Sequence, residues 1–281
     1  MKINIPIEET IRNRVSVRNY DPKRLTEMDK GKLVNEISQL TNPFGENVRI
    51  HLVEKDAVSN GEKLGTYGVI KGANTFLGVT ADKGELGLVA AGYQFENLVL
   101  IATHMGLATV WLAATFSREQ FEKAMGIQKD ELFPAISPIG YAAVKKSITE
   151  TIMRKTMGSD QRKPWSELFF LDSFGNPLSK KEANEYEIPL EMLRLAPSAT
   201  NAQPWRVLKK QGAYHFFETH KSNASEAEKM IKKVDIGIAL SHFHQTALEQ
   251  GLAGCFEKRN DIGVDIPDHT NYIISWSMEK N

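Results

Sequence analysis

Cysteine is almost missing from this sequence: Cys255 stands alone among 281 residues. An internal disulfide framework is therefore excluded, and a reducing compartment is the expected setting. A surplus of charge is missing as well, since 35 Lys and Arg offset 35 Asp and Glu. That balance gives no electrostatic case for a nucleic-acid or membrane partner. Long hydrophobic runs are absent too. The most apolar region, Leu86 to Ala114, is broken by Gln94, Glu96, Asn97 and His104, which reads as a buried helix and not a membrane span. The opening Met1-Lys2-Ile3-Asn4-Ile5-Pro6 has no extended apolar core and no cleavage-site pattern. No signal peptide is expected, and the expected location is the cytoplasm.

Phosphate-loop signatures are lacking. Gly61, Gly65 and Gly68 match neither the dinucleotide fingerprint nor the Gly-Lys-Ser/Thr ending of a P-loop. A metal centre is not expected either. His242 and His244 are two residues apart, whereas a helix places ligands on one face at three or four. With His269 and Cys255 they read as helix-surface or core side chains.

What is present starts with an ordinary globular composition, 41% hydrophobic and 25% charged, long enough for one large domain or two modest ones. A short helix around Glu8–Arg14 leads into Arg14-Val15-Ser16-Val17-Arg18-Asn19-Tyr20. In extended geometry Arg14, Ser16 and Arg18 share a face. Two guanidiniums beside a hydroxyl suit a phosphate, although a solvated edge strand would show the same alternation. Thr26 caps a helix to Leu40, with Leu33, Val34, Ile37 and Leu40 as its apolar stripe. Strands are expected at Val48–Val53 and Asn74–Thr80, and the strongest helix at Leu88–Met105, ended by Gly106. A short strand or turn follows at Val110–Ala114, then a helix at Glu119–Met125 and a buried strand at Ala135–Val144. The basic, hydroxylic stretch from Lys145 to Pro164 reads as a linker.

Beyond that stretch the order repeats. Helix Leu190–Leu195, strand Val207–Leu208, strand Tyr214–Thr219, helix Ile236–Gln250 and strand Tyr272–Met278 answer the elements of the first half. Gly92 to Gly106 and Gly237 to Gly251 are equally spaced, and Leu-Ala follows the second glycine of each pair. Thr109-Val110-Trp111 then answers Gly254-Cys255-Phe256. A duplicated unit in one chain packs about a pseudo-twofold axis, as a homodimer does. The two units are expected at residues 1–160 and 161–281.

A second notable segment is Leu195-Ala196-Pro197-Ser198-Ala199-Thr200-Asn201-Ala202-Gln203-Pro204-Trp205. It reads as helix, polar loop, strand, because a helix is expected to end before Pro197. Taken together, the basic segment, the run from Pro197 to Trp205, the helix ending in Gly106-Leu107 near Trp111, and Arg162-Lys163-Pro164 resemble the flavin-dependent nitroreductase family. The resemblance implies an α+β fold, a nitroreductase-like α-β-α sandwich with two tandem half-units packed as a pseudo-homodimer. In ordinary members the Pro-Ser motif follows the basic one closely. Here it lies in the second copy, and Asn42-Pro43-Phe44 takes its place in the first, as in a tandem, single-chain branch of the family.

That arrangement implies one FMN site between the halves. Arg14, Val15, Ser16 and Arg162 would hold the phosphate end, with Arg18 beside them. Pro197, Ser198, Asn201 and Gln203 would reach the flavin from the other half, and the backbone of Leu112, Ala113 and Ala114 would lie at its reactive edge. Trp205 is expected nearby through its motif, and Lys71, Lys145 and Lys209 are candidate cations for the reduced ring. The mirror-related site would pair Asn42-Pro43-Phe44 with Trp165-Ser166-Glu167-Leu168, lacks arginines and is expected to be empty. The implied activity is ping-pong transfer of hydride from NAD(P)H through FMN to a nitroaromatic, quinone or similar small electron acceptor, by a monomer acting as a pseudo-dimer. The alternative is a flavin- or other small-ligand-binding protein without turnover, since alanines replace the acid and glycine common in the family at Ala113 and Ala114.

Overall fold

A computed structural model describes residues 2–57, 64–144 and 161–278. Gly61, Lys145, most of the expected linker and the boundary at residue 160 lie outside the described residues. Helix α1 (Ile7–Asn13) is followed by α2 (Glu27–Gln39), β1 (Val48–Glu54), β2 (Thr75–Ala81), α3 (Gly87–His104), β3 (Ala108–Thr109), α4 (Arg118–Met125) and β4 (Leu132–Gly140). Then come α5 (Trp165–Leu168), β5 (Phe169–Leu171), α6 (Lys180–Ala183), α7 (Glu187–Arg194), β6 (Trp205–Lys210), β7 (Ala213–Thr219), α8 (Glu226–Glu249), β8 (Gly254–Glu257) and β9 (Thr270–Met278).

The strands form two sheets, ordered β1-β2-β4-β3 and β5-β6-β7-β9-β8. Apart from the extra strand β5, which pairs parallel with β6, the second order reproduces the first, strand for strand. Both sheets are otherwise antiparallel, each with the long helix inserted in the chain before its last two strands. The fold is thus the α+β sandwich expected, built from two related units as a pseudo-dimer.

Helix α3 lies on all four strands of the first sheet, α8 lies on β6 and β7 of the second, and the two helices pack on each other. A helix covered on every side must be apolar all round, and Gly87 to Ala102 are all buried. Their crossing is set by the two glycines that mark the repeat. A side chain at Gly92 would overlap the Val234 carbonyl, and one at Gly237 would overlap that of Val89. The polar groups of this interface pair across it. Ser241 donates to Asn97 at 2.8 Å, Tyr93 and His244 meet at 2.6 Å, and Gln245 donates to the Tyr93 hydroxyl at 3.0 Å. Such pairing removes most of the cost of burying polar atoms.

Helix α1 is held by the opposite unit. Glu249, at the end of α8, accepts from the amides of Ile7 and Glu8, and Gln245 accepts from that of Ile3. A carboxylate at a helix N-terminus satisfies donors that have no partner inside the helix and complements its dipole. The basic segment leaves the far end of α1, so its place depends on α8.

Several expectations are corrected. The strand expected to reach Val144 ends at Gly140, and Val144 is 99% exposed. Val34 faces solvent at 51% exposure, leaving Leu33 and Leu40 as the buried members of the α2 stripe. Helix α8 begins ten residues before Ile236, where Ser225 and Glu228 form a capping box. Among the described residues no helix is long and apolar enough to cross a membrane.

Candidate functional site

The Arg14–Arg18 segment is extended because its backbone pairs with the edge of β3. Ser16 bridges Thr109 in parallel, and the Val17 amide donates to the Thr109 carbonyl at 2.9 Å. This pairing turns Arg14, Ser16 and Arg18 to one side, and all three line a cavity of about 350 Å³, the size class of a small-molecule site.

Behind Arg14 sits a carboxylate with no solvent exposure. Glu96 accepts from Trp111 Nε1 at 2.7 Å, meets His242 Nε2 at 2.9 Å, and lies 4.0 Å from Arg14 Nε. The other nitrogen of His242 faces the Met192 carbonyl at 3.0 Å. Glu96 thus fixes both a cation and an indole of the cavity wall, and ties them to α8.

The opposite wall is the loop that follows α7. The helix ends at Arg194, capped by Leu195 ahead of Pro197, and a 3-10 turn at Ala199–Asn201 leads to β6. Thr200, Asn201 and Gln203 take left-handed φ values of 53°, 54° and 49°. Asn tolerates that region, but for a β-branched Thr it is costly and persists only where surroundings impose it. The restraints are visible. Asp235 Oδ1 accepts from the Ala199 amide at 2.9 Å, Ser198 Oγ from the Gln203 amide at 2.9 Å, and Asn201 donates to the Gln161 carbonyl at 2.8 Å. Arg162 donates to Asn201 Oδ1 at 3.2 Å and to the Leu195 carbonyl at 3.1 Å, which brings a third guanidinium to the cavity.

The sequence-derived site residues converge. Arg14, Val15, Ser16, Arg18, Leu112, Ala113, Ala114, Arg162, Pro197, Ser198 and Asn201 all line this cavity. Gln203 does not. It is buried behind the loop, taking the Lys163 amide on Oε1 at 2.8 Å and donating to the Asn201 carbonyl at 3.2 Å. Leu112 exchanges both backbone hydrogen bonds with Ile136 at 2.9 Å, which pins the Leu112–Ala114 wall to β4.

Other expectations fall away from the cavity. Trp205 points into the core beneath the second sheet. Lys209 donates to the Glu182 carbonyl at 2.6 Å and lies over the Tyr214 ring, Lys71 is exposed, and Lys145 lies outside the described residues. Among the described residues Arg14, Arg18 and Arg162 are the cations that face the cavity.

Four unforeseen wall residues come from α8. Ile231, Val234 and Ile238 form a stripe along its first turns, with Asp235 among them. The Ser225-x-x-Glu228 signature could have placed the start of the helix, and with it this face. Trp111, Val110 and Ala135 complete an apolar floor.

At the mirror-related position, Phe44 packs edge-on against Tyr93 and lies 5.4 Å from Phe256, centroid to centroid. Phe256 in turn meets His244 and Trp276. Trp165 packs on Phe169 and donates to the Leu178 carbonyl. The histidines proposed as unlikely metal ligands are separated: His242 and His244 hold the buried partners described above, and His269 packs on His220. Among the described residues no cluster of three ligating side chains occurs.

Comparison with known proteins adds the following. The family model described as "Putative TM nitroreductase" matches residues 6–247. A "putative nitroreductase" from Thermotoga maritima is similar in structure, with a TM-score of 0.61 and 23% identity over 99% of this chain and 96% of that one. A nitroreductase with bound FMN from Bacteroides fragilis matches 52% of this chain and 92% of its own length, at 18% identity and a TM-score of 0.42. The search of curated proteins found no match.

Proposed function

The chain belongs to the nitroreductase family whose model spans residues 6–247, and from that premise we propose that it is an FMN-dependent oxidoreductase. In this reading it moves electrons from NADH or NADPH to a nitroaromatic, quinone or similar small acceptor in two half-reactions. The observation that carries it is the meeting, in one cavity, of Arg14, Ser16 and Arg162 with Pro197, Ser198 and Asn201, segments nearly 200 residues apart in sequence. No chance edge strand would bring the basic motif to the Pro-Ser loop.

The donor set fits the group. Guanidiniums and a hydroxyl suit a phosphate, the Ser198–Asn201 loop offers short donors and acceptors for a polyol, and the floor of Val110, Trp111, Leu112 and Ala135 suits a flat apolar ring. When bound, FMN supplies hydride acceptance and two-electron delivery, chemistry that belongs to the cofactor. The chain's share is placement. Arg14, with only 8% of its side chain exposed, is held by Glu96 and would neutralise phosphate without first losing a mobile water shell. Arg162 would do the same while bracing Asn201. The strained Thr200–Asn201 turn fixes the loop before any ligand arrives, so less ordering is lost on binding. The apolar floor and the α8 stripe exclude water from the electron-transfer face.

The test is the absorption spectrum of the isolated or FMN-reconstituted protein, with anaerobic addition of NADH or NADPH. A bound-flavin spectrum that bleaches is expected. Arg14→Ala and Asn201→Ala should each weaken FMN binding by about tenfold or more, the weight of a hydrogen bond to a charged or buried group. A silent Asn201→Ala, or no flavin bound, would overturn the assignment. Tight binding with no bleaching would identify a flavin-binding protein without reductase turnover.

A further inference from the structure

Among the described residues Asp235 is the one acidic side chain on the cavity wall, and it is 3% exposed. One carboxyl oxygen is committed: Oδ1 accepts from the Ala199 amide at 2.9 Å. The other, Oδ2, is buried and has no hydrogen-bond partner among the described residues. Lys232 Nζ is 3.9 Å away, an ion-pair distance outside hydrogen-bond reach. A buried polar atom left in this state marks a place where a partner is missing.

The repeat supplies a second observation. The Gly92–Gly237 crossing fixes the register of α3 on α8, so Asp235, two residues before Gly237, corresponds to Ala90, two before Gly92. Ala90 is wholly buried. A carboxyl therefore occurs beside the open cavity, while its counterpart helix, on the side closed by Phe44 and Phe256, carries a methyl group. Packing alone does not require the acid, since the same fold manages with alanine at the equivalent position.

We propose that Asp235 is a further ligand-binding residue of the cavity, its neutral carboxyl donating from Oδ2 to an acceptor atom of the bound flavin. This rests on the reading of the cavity as a flavin site. The surroundings favour the neutral acid. Burial pushes the carboxyl up to about 7, the Glu218 carboxylate on β7 adds to the rise, and the Ala199 amide and Lys232 pull against it. Across the cavity stand Arg14 and Arg18, with Arg162 on the loop that Asp235 anchors, and the turn of α3 that crosses here, Val89 to Tyr93, brings no charge. Above neutral pH the carboxylate replaces the donor with a buried negative charge facing an acceptor atom, and the flavin should bind less tightly.

The experiment is a titration of apoprotein by quenching of flavin fluorescence between pH 6 and pH 8.5. Riboflavin, which has no phosphate, is the first probe. Arginines keep their charge throughout this range, so of the titratable groups lining the cavity among the described residues Asp235 alone changes state. Wild-type affinity for riboflavin should fall about tenfold across the range. FMN is the second probe, compared between wild type and Asp235→Asn, whose amide keeps a donor at every pH. The ratio of the two dissociation constants cancels the titration of the phosphate and should rise about tenfold toward pH 8.5. A flat riboflavin profile in the wild type overturns the proposal without reference to any variant, and so does a constant FMN ratio. Failure of wild type to bind either flavin at any pH fells the flavin reading and the proposal together.

Discussion

The tight crossing of α3 and α8 at Gly92 and Gly237 permits a sharp test. In Gly237→Ala the new methyl would overlap the Val89 carbonyl oxygen and lie 2.8 Å from the Tyr93 amide nitrogen. Both are backbone atoms of a helix, so no rotamer change relieves the contact. The helices must move apart, loosening the buried pairs Ser241–Asn97 and Glu96–His242. Overpacking of a tight core costs about 1–3 kcal/mol, and a clash with rigid backbone belongs at the upper end, near 3 kcal/mol. For a chain of this size each kcal/mol moves Tm by about 2–4 °C, so a fall of about 6–12 °C is expected in calorimetry. Gly31→Ala is the internal control. It lies on exposed α2 with nothing within 4 Å of the new methyl, and should stabilise by about 0.5–1 kcal/mol through helix propensity. If Gly237→Ala melts with the wild type while Gly31→Ala behaves as stated, the crossing is not as tight as described and the register argument built on it fails.

Phe44→Ala should remove the ring that packs on Tyr93 and Phe256, costing about 2–3 kcal/mol in urea unfolding because Phe44 is only partly buried, while FMN affinity stays unchanged. His244 is held well below the usual histidine range, at about 3, chiefly by burial. The unfolded chain takes up a proton near pH 6.5 and the folded chain does not, so stability is lost as pH falls from about 6.5 toward 3. That loss amounts to about 3 kcal/mol by pH 4. His244→Phe should flatten this acid limb, as read from denaturant midpoints of wild type and variant at pH 4 and pH 7.

Much of this architecture is legible in the sequence, for local reasons. The alternation from Arg14 to Arg18, the stop expected before Pro197 and the paired Gly-to-Gly spacings are short-range signals that give the element order and the duplication, while the eleven wall residues come with the family resemblance that the motifs carry. What escaped depends on distant neighbours. Trp205 belongs to the flavin-like motif, yet strand alternation turns it inward with Val207 and leaves Arg206 outward. Gln203 shares the motif but serves as a brace, because its amide oxygen accepts from the Lys163 N–H while its nitrogen donates to Asn201. Phe44 reads as a turn residue until Phe256, more than 200 positions away, arrives beside it. Asp235 is a different kind of miss. It lies one residue before the expected start of α8, in the turns that the Ser225–Glu228 capping box would have added.

The anchoring of α1 on Glu249 has a consequence for assembly. The segment carrying Arg14 is seated by amides that reach across to the far end of the chain. When such contacts join separate subunits, dilution breaks them by mass action. Here both partners belong to one polypeptide, so the encounter is intramolecular and its effective concentration does not fall with dilution. Completeness of the cavity should be independent of how much protein is present, and the chain can work at concentrations where two loose halves would part.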